Sequence, residues 1–153
     1  MGRLQAYPLE QSVDKLFYRF VSKGAENDIV KIVIYEDMRT DEWNLAFGDA
    51  NADETDFDDE VITNNQDMRR VIQTVFATGL IFSAAYPERK IKIIPVDKKR
   101  KLLYNRVFQD RHTAIEEFYT IYGLSFTDDT KELYDSRKIY EGFLLTKNNS
   151  NKI

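Results

Sequence analysis

Apolar positions recur at two spacings along the chain, and the change of spacing marks its elements. KLFYRFVS (15–22) is rich in aromatic and β-branched residues and reads as a strand; Lys23-Gly24 and Glu26-Asn27-Asp28 then read as a turn. IVKIVIYED (29–37) is an apolar run broken by Lys31, the mark of a well-buried strand, and EWNLAFGD (42–49) supplies a third. The short turns between them predict an antiparallel meander. From Gln66 to Tyr86 the spacing becomes helical: Met68, Val71, Ile72, Val75, Gly79 and Phe82 fall near one face, Asn64-Asn65 supplies a cap, and Pro87 ends the run. KIKIIPV (90–96) is a fourth strand, with Pro95 placing it at a sheet edge or ending it. A second helix is predicted over 101–122, with Leu103, Val107, Ala114, Phe118 and Ile121 inward and Gly123 as its stop. RKIYEGFLLTK (137–147) is the fifth strand, and the polar tail NNSNKI (148–153) is expected to be disordered.

The order β-β-β-α-β-α-β predicts a single α+β domain over 1–147 with a five-stranded mixed sheet. This order resembles the ribonuclease H-like fold, in which a meander precedes a helix that often opens with Thr-Asn-Asn, as Thr63-Asn64-Asn65 does here. Composition agrees with one globular core: 153 residues, 42% apolar and 13% aromatic, far from the signature of disorder. With no cysteine, disulfides, thiolate zinc sites and a cysteine nucleophile are excluded. MGRLQAYPLEQS lacks the apolar segment of an export signal, and VFATGLIFSAAY (75–86) is too short to span a bilayer, so a cytoplasmic protein without a membrane partner is expected. A net charge of −4 gives no global nucleic-acid footprint and leaves only a local basic patch for that role.

Seven carboxylates lie between Asp49 and Glu60. In an EF-hand register Asp49, Asn51, Asp53 and Glu60 take positions 1, 3, 5 and 12, but Glu54 stands where the loop needs Gly and a strand enters where a helix should. A two-metal nuclease needs carboxylates converging from several elements, and Asp49, Asp59, Asp67 and Asp97 are the candidates, with Asp67 and Asp97 the potential metal ligands. Mg²⁺ or Mn²⁺ is implied only in that reading; otherwise no cofactor is expected. The first strand offers Ser22 and no acid, so a solvated acidic loop explains the composition more simply.

KKRK (98–101) lies between the fourth strand and the second helix, followed by Tyr104, Arg106 and Arg111. Cations at a helix N-terminus oppose its dipole, whereas an anion bound there is favoured twice over. Arg100, Lys101, Tyr104 and Arg106 are therefore the candidate binding residues, with phosphate contacts beside a stacking platform for RNA or single-stranded DNA. A solvated connection is the plainer alternative. His112 has the chemistry of a general base but no nucleophile in sequence reach, and Trp43 reads as packing.

FYRFVSKG, NLAFGD, Asp58-Asp59, NNQDMRRVIQTV, Arg100 with Leu103-Tyr104, and FLLTK together resemble a small uncharacterised bacterial family, common in Bacteroidota. In that family's pattern Gly-Ser-Thr precedes the Arg, where this chain has Pro95-Val96-Asp97 and lysines. The resemblance carries no biochemical role of its own; small proteins of this kind often sit in toxin–antitoxin or phage-conflict modules, and the basic segment 98–106 gives the expectation of a binding protein that engages a protein or nucleic-acid partner. A nuclease-like toxin and a self-associating structural protein, hence a homo-oligomer, are the alternatives.

Overall fold

The computed structural model describes residues 6–24, 27–56 and 67–148. Its elements are β1 (Glu10–Gln11), β2 (Phe17–Lys23), β3 (Asp28–Asp37), β4 (Glu42–Asp49), α1 (Met68–Ala85), β5 (Lys90–Ile93), α2 (Lys98–Glu116), β6 (Tyr119–Ser125), β7 (Thr130–Leu133) and β8 (Gly142–Lys147). The chain is α+β, but among the described residues the sheet has eight strands, in the order β1-β2-β3-β4-β5-β8-β6-β7, and not the five expected. The three extra strands left weak signals. β1 is two residues long, and all four residues of β7 are exposed, so neither alternates. β6 was read as helix because Phe118 and Ile121 continue the spacing of α2; in fact Glu117 closes that helix, its N–H bonded to the Ala114 and Ile115 carbonyls. Tyr119 and Ile121 are then buried in strand alternation, with Phe118 outside. No helix among the described residues is long and apolar enough to cross a membrane.

Contacts divide the chain into two compact units, Met1–Glu36 with Leu45–Tyr86 and Asp37–Asn44 with Pro87–Ile153. In the first, β2 and β3 pair antiparallel with Tyr18 opposite Val33 and Phe20 opposite Lys31. Alternation therefore buries Tyr18, Phe20 and Ser22 on one side of β2. The ring of Phe82 from α1 stacks on Tyr35 of β3 at 4.3 Å, and the Tyr35 hydroxyl meets Thr78 Oγ1 at 2.9 Å. The N-terminal segment is fastened to the same helix, with Tyr7 stacked on Phe20 and its amide donating to Thr74 Oγ1. The capping signal Asn64-Asn65 lies outside the described residues, as does the tail beyond 148.

In the second unit β5 is central, parallel to β4 through Trp43 opposite Ile91 and antiparallel to β8 through Ile91 opposite Leu145. The edge position suggested by Pro95 is not adopted; the proline lies beyond the strand's end and costs the ladder no donor. The ring of Phe108 from α2 stacks on Phe143 at 4.0 Å. Gly123, expected to stop a helix, is instead a strand residue covered by Tyr140, whose ring carbons would lie 2.2 Å from an added Cβ. Gly123→Ala should therefore displace a ring whose hydroxyl donates to Glu132 at 2.6 Å. Overpacking of this kind costs about 1–3 kcal/mol, measurable as a lowered denaturation midpoint. A midpoint equal to wild type would show that the ring moves at no cost.

Candidate functional site

The second helix organises the cations. Asp97 is its N-cap, in extended backbone, with one carboxylate oxygen accepting from the Arg100 amide and the other from the Arg100 guanidinium, both at 2.8 Å. The anion expected at this N-terminus is thus supplied by the chain itself. Arg100, one of the four candidate binding residues, is turned inward and only 6% exposed. Tyr104, one turn further on the same side, is half-buried, and burial pushes its phenol up to about 12. Lys98, Lys99, Leu102 and Arg106 share the opposite face and are all exposed. Among the described residues no carboxylate pairs with Lys98, Lys99 or Arg106.

Lys101 lies between these faces and borders a recess of about 240 Å³ with Lys98, Val96, Phe126 and Glu141. Asn105 sets this geometry. It is 2% exposed, and its amide donates to the Lys101 and Tyr140 carbonyls while its oxygen accepts from the Tyr140 N–H at 2.8 Å. Residue 141 is thereby held beside the first turns of α2. The Glu141 carboxylate accepts from the Phe126 and Thr127 amides and from the Thr127 hydroxyl, and those bonds, with Lys101 nearby, hold its pKa below the usual carboxylate value. Phe126 is presented by this turn with 48% of its surface exposed, and Lys92 Nζ lies 5.7 Å from its ring centre.

Three of the four carboxylates proposed for catalysis have local partners. In the first unit Asp49 Oδ1 is 2.5 Å from Lys31 Nζ, both residues being at most 6% exposed. Lys31, read as a break in the strand, is the counter-charge of a buried pair. Asp67 precedes α1 but does not cap it; its Oδ2 accepts from the Tyr7 and Ser22 hydroxyls, each at 2.5 Å. Asp97 belongs to the second unit and is committed to Arg100, while Asp59 lies outside the described residues. No group of three metal-ligating side chains occurs among the described residues.

Where an EF-hand would run, Asn51 Oδ1 accepts from the Thr55 and Asp56 amides, and Glu54, bonded to Arg19 at 2.9 Å, adopts a φ of 59°. That left-handed backbone is the one Gly would supply, but Asp49 faces Lys31. His112 is 3.5 Å from Glu116 on its own helix, and Trp43 lies under the Arg89 guanidinium at 4.0 Å.

Sequence reasoning missed Lys98 and Lys99 as the outward cations, and missed Phe126 and Glu141 altogether. With the helix begun at Lys101, the phase separating 98, 99, 102 and 106 from 100 and 104 could not be read; Asp97 as a cap would have set it. Phe126 left the faint signal of an aromatic alone in a polar turn, SFTDDT.

Fold and site together define an α+β protein with a cationic helical face beside a small recess. A family model matches residues 3–148, that of a family of unknown function, DUF6934, and the chain belongs to this family. No curated protein and no solved structure matches it.

Breaking the buried pair by Lys31→Met or Asp49→Leu alone should cost about 3–5 kcal/mol, because it strands a buried charge, whereas the double replacement should recover most of the loss. Denaturant unfolding of the four proteins checks this, and two additive single losses would refute the coupling. Burial also raises Tyr140 to about 12, as it does Tyr104. Both phenols hold their protons more tightly folded than unfolded, so their contribution to stability is complete below pH 10 and lost as pH rises toward about 12. Stability measured from pH 8 to 12 should decline over that window, less so in Tyr104→Phe.

Proposed function

We propose that this protein is a binding module for a polyanionic partner, engaged by the exposed face of α2. One observation carries the reading: the helix turns Arg100 inward against Asp97 and leaves Lys98, Lys99 and Arg106 outward around Leu102. Two lysines in a first turn oppose the helix dipole by about 0.3–1 kcal/mol each, a cost that the Asp97 cap offsets in part and that a polyanion on the outer face would offset further. The distribution of charge supports it. Of the 22 basic residues fifteen fall in the second unit, while the 26 acidic residues divide thirteen and thirteen, giving −6 and +2. The chain's overall acidity therefore masks a basic half. Membership of a bacterial toxin–antitoxin or phage-conflict module is compatible with such a partner.

The competing nuclease reading, and the ribonuclease H-like architecture it draws on, gains less from the side chains. Asp49, Asp67 and Asp97 each already serve the fold through Lys31, the Tyr7 and Ser22 hydroxyls, and Arg100.

Retention on heparin and titration with a labelled single-stranded RNA across a salt series test the proposal. Binding should weaken steeply with salt, and Lys98→Gln with Lys99→Gln and Arg106→Gln should flatten the slope of log K against log salt by about 2. No retention of the wild-type protein at about 50 mM salt, or an unchanged slope in the triple variant, would overturn it.

A further inference from the structure

Resting on the polyanion reading, we propose that the recess beside α2 receives one base of a single-stranded nucleic acid, stacked on Phe126, with the adjoining phosphates on Lys98, Lys99 and Lys101. Phe126 is half-exposed although its backbone N–H is tied to the Glu141 carboxylate, which follows Tyr140, itself held by the Asn105 amide. Its ring edge rests on Gly142, where an added Cβ would come within 2.9 Å. The ring is therefore preset and not free to collapse, which lowers the ordering cost of stacking on it. The recess, at about 240 Å³, is below the size of a site for a drug-sized ligand and suits a single planar group.

The choice between a base and an acidic side chain follows from Glu141. A carboxylate lining the recess repels a second carboxylate entering it, whereas a base is uncharged and brings amino groups that a carboxylate can accept from. The negative charge of a nucleic acid sits on the backbone, at the rim of the recess, where Lys98 and Lys101 line it and Lys99 is exposed next to Lys98. An aromatic platform with flanking cations is the general solution for single strands. The capped N-terminus of α2 takes no part, because Asp97 already occupies it.

The experiment compares a fluorescein-labelled single-stranded oligonucleotide with an abasic strand of the same length, by anisotropy at low salt. Wild type should prefer the base-bearing strand. Phe126→Ala should weaken that strand about 5- to 100-fold, the range for one stacked base, and leave the abasic strand unchanged, while Phe126→Tyr should retain the preference. Circular dichroism melts confirm that each variant is folded, and Phe126→Leu, which keeps the bulk and loses the π face, repeats the test should Phe126→Ala melt early. Equal affinity of wild type for both strands, or equal losses for both in Phe126→Ala, overturns the stacking proposal and leaves the polyanion reading standing. Binding to neither strand, with tight binding to polyglutamate, overturns stacking in favour of an acidic protein partner; binding to none of the three overturns both.

Discussion

The buried amide of Asn105 is the contact on which the second unit's surface depends. A side-chain amide taken out of water without partners costs several kcal/mol, and this one satisfies its oxygen and both protons against the backbone of Lys101 and Tyr140. The requirement is geometric: a shorter, longer or apolar side chain leaves the Tyr140 N–H and C=O to find other partners in a dry site. Because both groups of residue 140 are fixed, the ring of Tyr140 covers Gly123 and the next residue, Glu141, is aimed at the turn that carries Phe126. One hydrogen-bonded residue thus couples the helix, the strand pair β6 and β8, and the exposed aromatic.

Charge follows the same economy of position. Arg100 and Asp97 form a pair in which one member is buried and the other half-exposed, and the pair also caps α2. This removes one cation from the surface and neutralises part of the helix dipole. Lys98 and Lys99 can then face solvent at a helix start that would otherwise resist them. In the first unit the solution is more enclosed, since Lys31 and Asp49 are both buried and each exists there only because of the other.

Legibility in the sequence divided along the line between packing and pairing. Strands β2, β3 and β4 and the helix α1 were readable because their apolar residues repeat at the period of the element and face a core. The α+β class followed from their order. β7 was not readable, because all four of its residues are solvent-exposed and its place is set by pairing with β6. Gly123 was misread because a glycine stopping a helix and a glycine making room for a ring have the same one-letter code; only Tyr140, seventeen positions away, distinguishes them. For the site, the basic run was evident but its facing was not. Lys101 and Arg106 were among the residues singled out, whereas Arg100 depended on Asp97 and Phe126 on Glu141, partners at 3 and 15 residues' separation that composition does not connect.

The exposed edge at β7 bears on self-association. Its sequence, Thr130-Lys131-Glu132-Leu133, looks complementary to its own antiparallel copy, Lys131 against Glu132. Hydrogen-bond parity forbids that register. Tyr134 donates its N–H to Ile121, so residues 130 and 132 point their backbone groups at β6, and Lys131 and Leu133 point theirs outward. A second copy must therefore pair outward residues with outward residues, and the two nearest registers set Glu132 opposite Glu132 or Lys131 opposite Lys131. Like charges directly across strands are destabilising, and Glu132 is further occupied by Tyr140 and Lys138. A strand whose composition suits self-pairing is thus guarded against its two nearest antiparallel registers by the phase of its backbone.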